Sequence, residues 1–191
     1  MTSHPDADDD LDFTAPARPA PPPPPEKMAS ARKEAATGSP QLAKTGFYVA
    51  MARNAGGRVT PRNGSRHSIF IIEDDKALAE LVGEVLAKGG FLTRFARNRA
   101  EINNEFNKPP LPDLVLLDVK LPDADGFQIL ERIRGNQKIK SLPVIMMTGK
   151  SEVTDVARGL SLGADGYVTK PFKISGLVRA VNTVLGIEQK D

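Results

Sequence analysis

Four large aliphatic residues in a row, Leu114, Val115, Leu116 and Leu117, run directly into an aspartate, Asp118. A half-buried strand alternates apolar and polar side chains. As a strand, an unbroken run of this kind would be covered on both faces, inside a parallel sheet. Lys120, Pro122, Asp123, Asp125 and Gly126 follow and give the strand a loop to open into. In open α/β sheets ligands gather just beyond the carboxyl ends of the strands, which places Asp118 where chemistry is done. A lone strand-end aspartate is more often a turn or helix cap. Its meaning depends on what stands at the ends of the neighbouring strands.

From Ser68 onward short apolar runs alternate with amphipathic segments. Strands are predicted over 68–72, 91–95, up to Asp118, 143–147 and 166–169. The first helix carries Leu78, Leu81, Val82, Val85 and Leu86 on one face and stops at Gly89-Gly90. Asn98 caps a second helix with Ile102 and Phe106 inward, and Pro109-Pro110 closes it. The third helix, from Gly126, buries Phe127, Leu130 and Ile133. The fourth carries Val153, Val156, Ala157 and Leu160, and the last carries Ile174, Leu177, Val178, Val181 and Leu185. Five strands alternating with five helices through right-handed crossovers predict a doubly wound α/β fold with a five-stranded parallel sheet. Flavodoxin-like order 2-1-3-4-5 brings the ends of the first and third strands together.

Residues 1–66 read differently and are expected to form a disordered extension, with 67–191 as the folded domain. Asp6, Asp8, Asp9, Asp10 and Asp12 make an acidic cluster; Pro21 to Pro25 are five consecutive prolines; the charge then turns basic. Residues 28–36 suit a fraying helix. Phe47, Tyr48, Val49, Ala50 and Met51 form one apolar island, a docking motif if it is more than linker. The extension carries 9 basic and 7 acidic residues and the remainder 17 of each, so the net charge of +2 resides in the extension. A neutral domain without a basic recognition helix argues against direct nucleic-acid binding. With no cysteine, disulfides and thiolate metal sites are excluded. The absence of a long apolar run or a basic, apolar leader makes a cytoplasmic protein away from the membrane the expectation.

The strand order converges Glu73, Asp74, Asp118, Thr148 and Lys170 on one edge of the sheet. Crowded carboxylates repel unless a positive charge sits among them. A hard divalent cation such as Mg²⁺ suits such oxygens and completes its shell with water and phosphate. Lys170 and the Thr148 hydroxyl would serve phosphoryl oxygens, leaving Asp118 as a carboxylate nucleophile toward phosphorus.

These residues are set in longer motifs: Glu73-Asp74; Leu116-Leu117-Asp118 with Leu121-Pro122 and Asp125-Gly126; Met147-Thr148-Gly149; and Gly163-Ala164-Asp165-Gly166-Tyr167-Val168-Thr169-Lys170-Pro171-Phe172. In this order the stretch 68–185 resembles a response-regulator receiver domain of two-component signalling, of the single-domain, chemotaxis-regulator type. The resemblance implies Mg²⁺ held by Glu73, Asp74, Asp118 and the backbone carbonyl of Lys120. It also implies a phosphoryl group arriving on Asp118 from a histidine kinase or phosphotransfer protein. A cis bond between Lys170 and Pro171 is implied too, with Asp75 left to cap the first helix. Thr148 and Tyr167 become the switch pair, the ring turning inward as the hydroxyl moves to the phosphoryl group. Output is then a contact between proteins, with a downstream target or a phosphorylation-dependent homodimer, on the face of the fourth helix, fifth strand and fifth helix. Self-phosphorylation and self-dephosphorylation at Asp118 would be the chain's own chemistry, with no separate substrate.

Rival readings are weaker. A haloacid dehalogenase-type phosphatase wants a second aspartate where Lys120 stands. A DNA-binding regulator would need an output domain beyond the last helix. A kinase lacks both a helical histidine and an ATP site. A phosphorylation-independent scaffold of the same fold is the remaining alternative, set against the presence of every residue the chemistry needs. Lys120 and Lys150, two residues after Asp118 and Thr148, are expected to point outward or to steer acidic donors.

Overall fold

The alternating apolar runs close into a sheet flanked by helices on both faces. The computed structural model describes residues 11–14, 23–50, 57–149, 153–171 and 173–187. In chain order the elements are α1 (Pro25–Thr45), β1 (Phe47–Val49), β2 (Ser68–Ile72), α2 (Lys76–Lys88), β3 (Leu92–Ala96) and α3 (Arg99–Phe106). There follow β4 (Leu114–Asp118), α4 (Gly126–Gly135), β5 (Val144–Thr148), α5 (Val153–Leu162), β6 (Gly166–Thr169) and α6 (Ile174–Leu185). The sheet order is β1-β6-β5-β4-β2-β3, with every pair parallel except β1 and β6. Without β1 this is the expected 2-1-3-4-5 arrangement, and β2 lies beside β4.

All five residues of β4 are buried, as an uninterrupted aliphatic run requires. Leu114 and Leu116 pack with Val82 and Leu86 of α2 and Val181 and Leu185 of α6. Val115 and Leu117 face the opposite layer, among Ile102 and Phe106 of α3 and Phe127 and Leu130 of α4. Each such side chain removed from water contributes about 1.5–3 kcal/mol before chain entropy is counted. The caps are where the sequence put them: Asp75 accepts from Leu78 N at 3.0 Å and Asn98 from Glu101 N at 2.9 Å. Leu81 and Ile174, expected on inward faces, are exposed. No helix among the described residues is long and apolar enough to cross a membrane.

Two expectations change. Among the described residues the sheet has six strands, and part of the extension is ordered. Residues 25–45 form α1 against α5, and β1 adds to the β6 edge through the pairs Phe47 with Val168, Tyr48 with Tyr167 and Val49 with Gly166. Composition misled here because α1 buries small residues, Ala31, Ala35, Gly38 and Ser39, with Leu42 as the one large side chain. Close approach and edge hydrogen bonds do the holding, so little apolar bulk is needed. The apolar island is therefore a docking element over residues 47–49; Met51 lies outside the described residues. Near the start, Phe13 is buried against Phe106, ring centroids 4.9 Å apart, and its N–H donates to Asn103 Oδ1 at 3.1 Å. Residues 57–66 are also tied down. Val59 N donates to the Leu185 carbonyl at 3.0 Å, and the buried Asp113 carboxylate accepts from Arg62 N and Ser68 N.

Candidate functional site

Asp118 closes β4 and Glu73 follows β2, so the two carboxylates leave adjacent parallel strands at the same end. Both are buried. Lys170 follows β6, its bond to Pro171 is cis as expected, and its backbone N–H donates to the Thr148 carbonyl at 2.7 Å. Its ammonium donates to Asp118 Oδ2 at 2.7 Å and lies 2.6 Å from Glu73 Oε2. Asp74 is exposed at the rim. One oxygen from each of Glu73, Asp74 and Asp118 falls within 4.8 Å of the others.

The loop after β4 is folded back tightly. Gly126 N donates to the Val119 carbonyl at 2.9 Å, and a Cβ at Gly126 would overlap the Asp118 carbonyl, so the Asp125-Gly126 step admits no side chain there. Asp125 caps α4 through Phe127 N at 2.9 Å. Lys120 pairs with Asp125 across this loop and its side chain is exposed, in keeping with the outward direction read from its spacing. Lys150 lies outside the described residues.

The electrostatics follow from burial. Desolvation pushes the Glu73 carboxyl above its ordinary range, with the Lys170 ammonium opposing and Asp118 adding to the rise. Burial alone would lower the Lys170 pKa, but hydrogen bonds and charge from Asp118 and Glu73 outweigh it and hold the ammonium above its usual value. Among the described residues three carboxylates meet one ammonium, which leaves an excess of negative charge in the cluster. Glu73 Oε2 is buried with an ion contact but no aligned hydrogen bond. An all-oxygen set with an under-satisfied buried oxygen fits a small hard cation.

Thr148 ends β5, buried, with Thr169 as its partner on β6. Tyr167, two residues earlier on β6, is 0 % exposed. Its ring lies under α5, with the hydroxyl 3.3 Å from the Val156 carbonyl and 3.4 Å from that of Asp155. Burial pushes this phenol far above its ordinary pKa. The expectation of a ring on the outer face before phosphorylation is thus corrected. Gly159 supplies the space, since a Cβ there would overlap the Tyr167 hydroxyl. Nothing in the sequence flagged Gly159, because a helical glycine has many uses and its partner is set by packing. Asp165 was noticed only as part of a motif. It is a brace, accepting from Val144 N and pairing with Arg134 at 2.8 Å.

Known proteins resemble this chain in sequence and fold. The profile of the response regulator receiver domain matches residues 69–182. The phosphate regulon transcriptional regulatory protein PhoB of Escherichia coli is 37% identical over 117 residues, 61% of this chain and 51% of PhoB. The regulatory protein VanRc of Enterococcus gallinarum is 43% identical over 117 residues, 61% of this chain and 49% of VanRc. The chain spans about half the length of these curated relatives. Among solved structures, the receiver domain of a signal transduction histidine kinase from Syntrophus aciditrophicus shares 33% identity with a TM-score of 0.57, covering 65% of this chain and 95% of that one. The non-phosphorylated HemR receiver domain of Leptospira biflexa shares 29% with a TM-score of 0.58, covering 66% and 99%. Both α1 and β1 precede the span that the family profile matches.

Proposed function

Since the chain belongs to the response regulator receiver family, we propose that it accepts a phosphoryl group on Asp118 from a histidine kinase or phosphotransfer protein and signals by changing a protein-binding surface. The observation that carries this reading is the Lys170 ammonium held between Asp118 and Glu73, at 2.7 and 2.6 Å, with Asp74 beside them.

An Asp118 carboxylate oxygen attacks the phosphorus of a phosphohistidine. The new O–P bond forms as the P–N bond breaks, and the electron pair returns to the imidazole. Lys170 offsets the charge of two approaching anions and can follow a phosphoryl oxygen away from Glu73. Thr148, at the end of the neighbouring strand, brings a hydroxyl to the same edge. Glu73, Asp74 and Asp118, with the Lys120 carbonyl, would hold Mg²⁺, which supplies Lewis-acid neutralisation of the transferring group. Attack by water on the aspartyl phosphate releases inorganic phosphate and restores Asp118. No chemistry on a separate substrate is part of this reading. The protein acts in the cytoplasm, on protein partners, without direct contact with nucleic acid.

Incubation with acetyl phosphate and Mg²⁺ should add one phosphoryl mass, visible by intact mass spectrometry. Asp118→Asn and EDTA should each abolish it. Labelling that survives Asp118→Asn would remove Asp118 from the role, and no labelling of the native chain would leave the scaffold alternative.

A further inference from the structure

The face expected to carry output is already covered, and by this chain itself. α1 lies along α5, β1 completes the free edge of β6, and β1 also packs on α6. The seat is shaped for the occupant. A Cβ at Gly166 would come within 2.9 Å of the Tyr48 carbonyl, and one at Gly176 within 3.1 Å of the Thr45 carbonyl. Within the cap, a Cβ at Gly38 would meet the Tyr48 ring at 2.8 Å, and the Tyr48 hydroxyl donates to Glu34 at 2.9 Å, tying strand to helix.

The cap is also attached at the site. Thr169 N, next to Lys170, donates to the Gly46 carbonyl at 3.0 Å, and Thr169 is the cross-strand partner of Thr148. Tyr48 and Tyr167 are partners across β1 and β6 and share one buried cluster. Any shift of Thr148, Tyr167 or Lys170 toward a phosphoryl group therefore moves the surface on which the cap rests.

Its hold is modest. β1 has three residues, α1 contains Pro40, which removes one helical hydrogen bond, and the buried Ser39 hydroxyl has no hydrogen-bond partner among the described residues. A tethered segment still has a high local concentration, so a weak contact stays closed until something differential opens it.

We propose that residues 25–49 are an internal occupant of the output face, displaced when Asp118 is phosphorylated, and that the partner is a polypeptide that pairs as a strand with the vacated β6 edge. Exposed edge strands are recognised in this way, main-chain bonds giving affinity and flanking side chains giving choice. The coupling rests on the phosphoacceptor reading above.

The chain has no cysteine, so an engineered disulfide is unambiguous. Phe47→Cys with Val168→Cys joins two cross-strand partners and locks the cap in the full-length chain. Beryllofluoride with Mg²⁺ serves as the phosphoryl probe. The oxidised protein should bind it at least about fivefold more weakly than the same protein reduced, the lower end of usual allosteric couplings. Tyr48→Ala, which loosens the cap, should shift affinity the other way. In the native chain, beryllofluoride should accelerate hydrogen exchange across residues 31–49. Equal affinity in oxidised and reduced protein, with exchange over 31–49 unchanged, overturns the cap while leaving Asp118 as acceptor. A native chain that binds no beryllofluoride overturns the acceptor reading, and the coupling falls with it.

Discussion

Two helices flank β1, and they hold on by opposite means. α6 buries Leu177, Val181, Val184 and Leu185 in the layer beneath β2, β4 and β5. α1 is nearly twice as long yet buries Ala31, Ala35, Gly38, Ser39 and a single large side chain, Leu42. Large aliphatics lose contact with water in proportion to their area, so α6 cannot leave without unfolding the body. Small residues let backbones approach closely but leave little apolar area to re-expose. α1 is therefore predicted to be the less required of the two for the stability of the body. The difference in side-chain volume predicts that the cap is less stable than the body, and local opening is drawn from the less stable part.

The same substitution in each helix should separate them most clearly. Leu177 and Leu42 are 1 % and 0 % exposed. Leu177→Ala should cost about 3 kcal/mol of global stability in urea unfolding, as cavity formation in a rigid core does. Leu42→Ala should leave the global midpoint close to native and raise hydrogen exchange along α1 alone. Equal losses of global stability would break the distinction, making α1 a core element.

A smaller effect is expected at Gly38. Glycine to alanine inside a helix ordinarily gains up to about 1 kcal/mol. Here the added methyl would press on the Tyr48 ring, so Gly38→Ala should instead weaken cap closure by about 1–2 kcal/mol. Slower exchange over β1 in this variant would contradict the packing described. Tyr48→Phe deletes the bond to Glu34 and should cost about 1 kcal/mol of closure, read from the same exchange measurement.

The smallest effect belongs to the body alone. Glu73 has a folded pKa raised above the ordinary 4.5, so the fold binds its proton more tightly than the unfolded chain does. The stability this contributes is fully present below 4.5 and is lost as pH rises through the folded pKa. Without divalent cation, Glu73→Gln should therefore gain relative to native as pH goes from 4.5 toward neutrality. Urea midpoints at several pH values measure this; a difference that does not change with pH would mean that Lys170 neutralises the carboxylate fully. Exchange over α1 should not follow this titration, since the charge sits at the strand ends.

Much of the body was legible because its signals are local. An unbroken aliphatic run between turn residues suits an interior strand, Gly89-Gly90 suits a helix end, and Asp75 and Asn98 sit where caps belong. The site was legible for the same reason, since Glu73, Asp118, Thr148 and Lys170 all stand at strand ends, and the flavodoxin-like order, one of those that right-handed crossovers allow, brings those ends together. Leu81 and Ile174 misled because helical periodicity gives a face without saying how far the neighbouring layer extends. The cap was invisible to composition, which counts apolar volume and cannot see backbone approaching backbone.

Sequence by itself determined the doubly wound body, the cluster of acids and the lysine that answers them, because each is encoded in periodicity or at a strand end. Only the tertiary structure decided that residues 25–49 pack on the β6 edge, and that Tyr167 lies inward in the space left by Gly159. One depends on the N–H and C=O groups of a strand edge and the other on the missing Cβ of a glycine, and both acquire meaning only when another part of the chain arrives to pair the groups or fill the space.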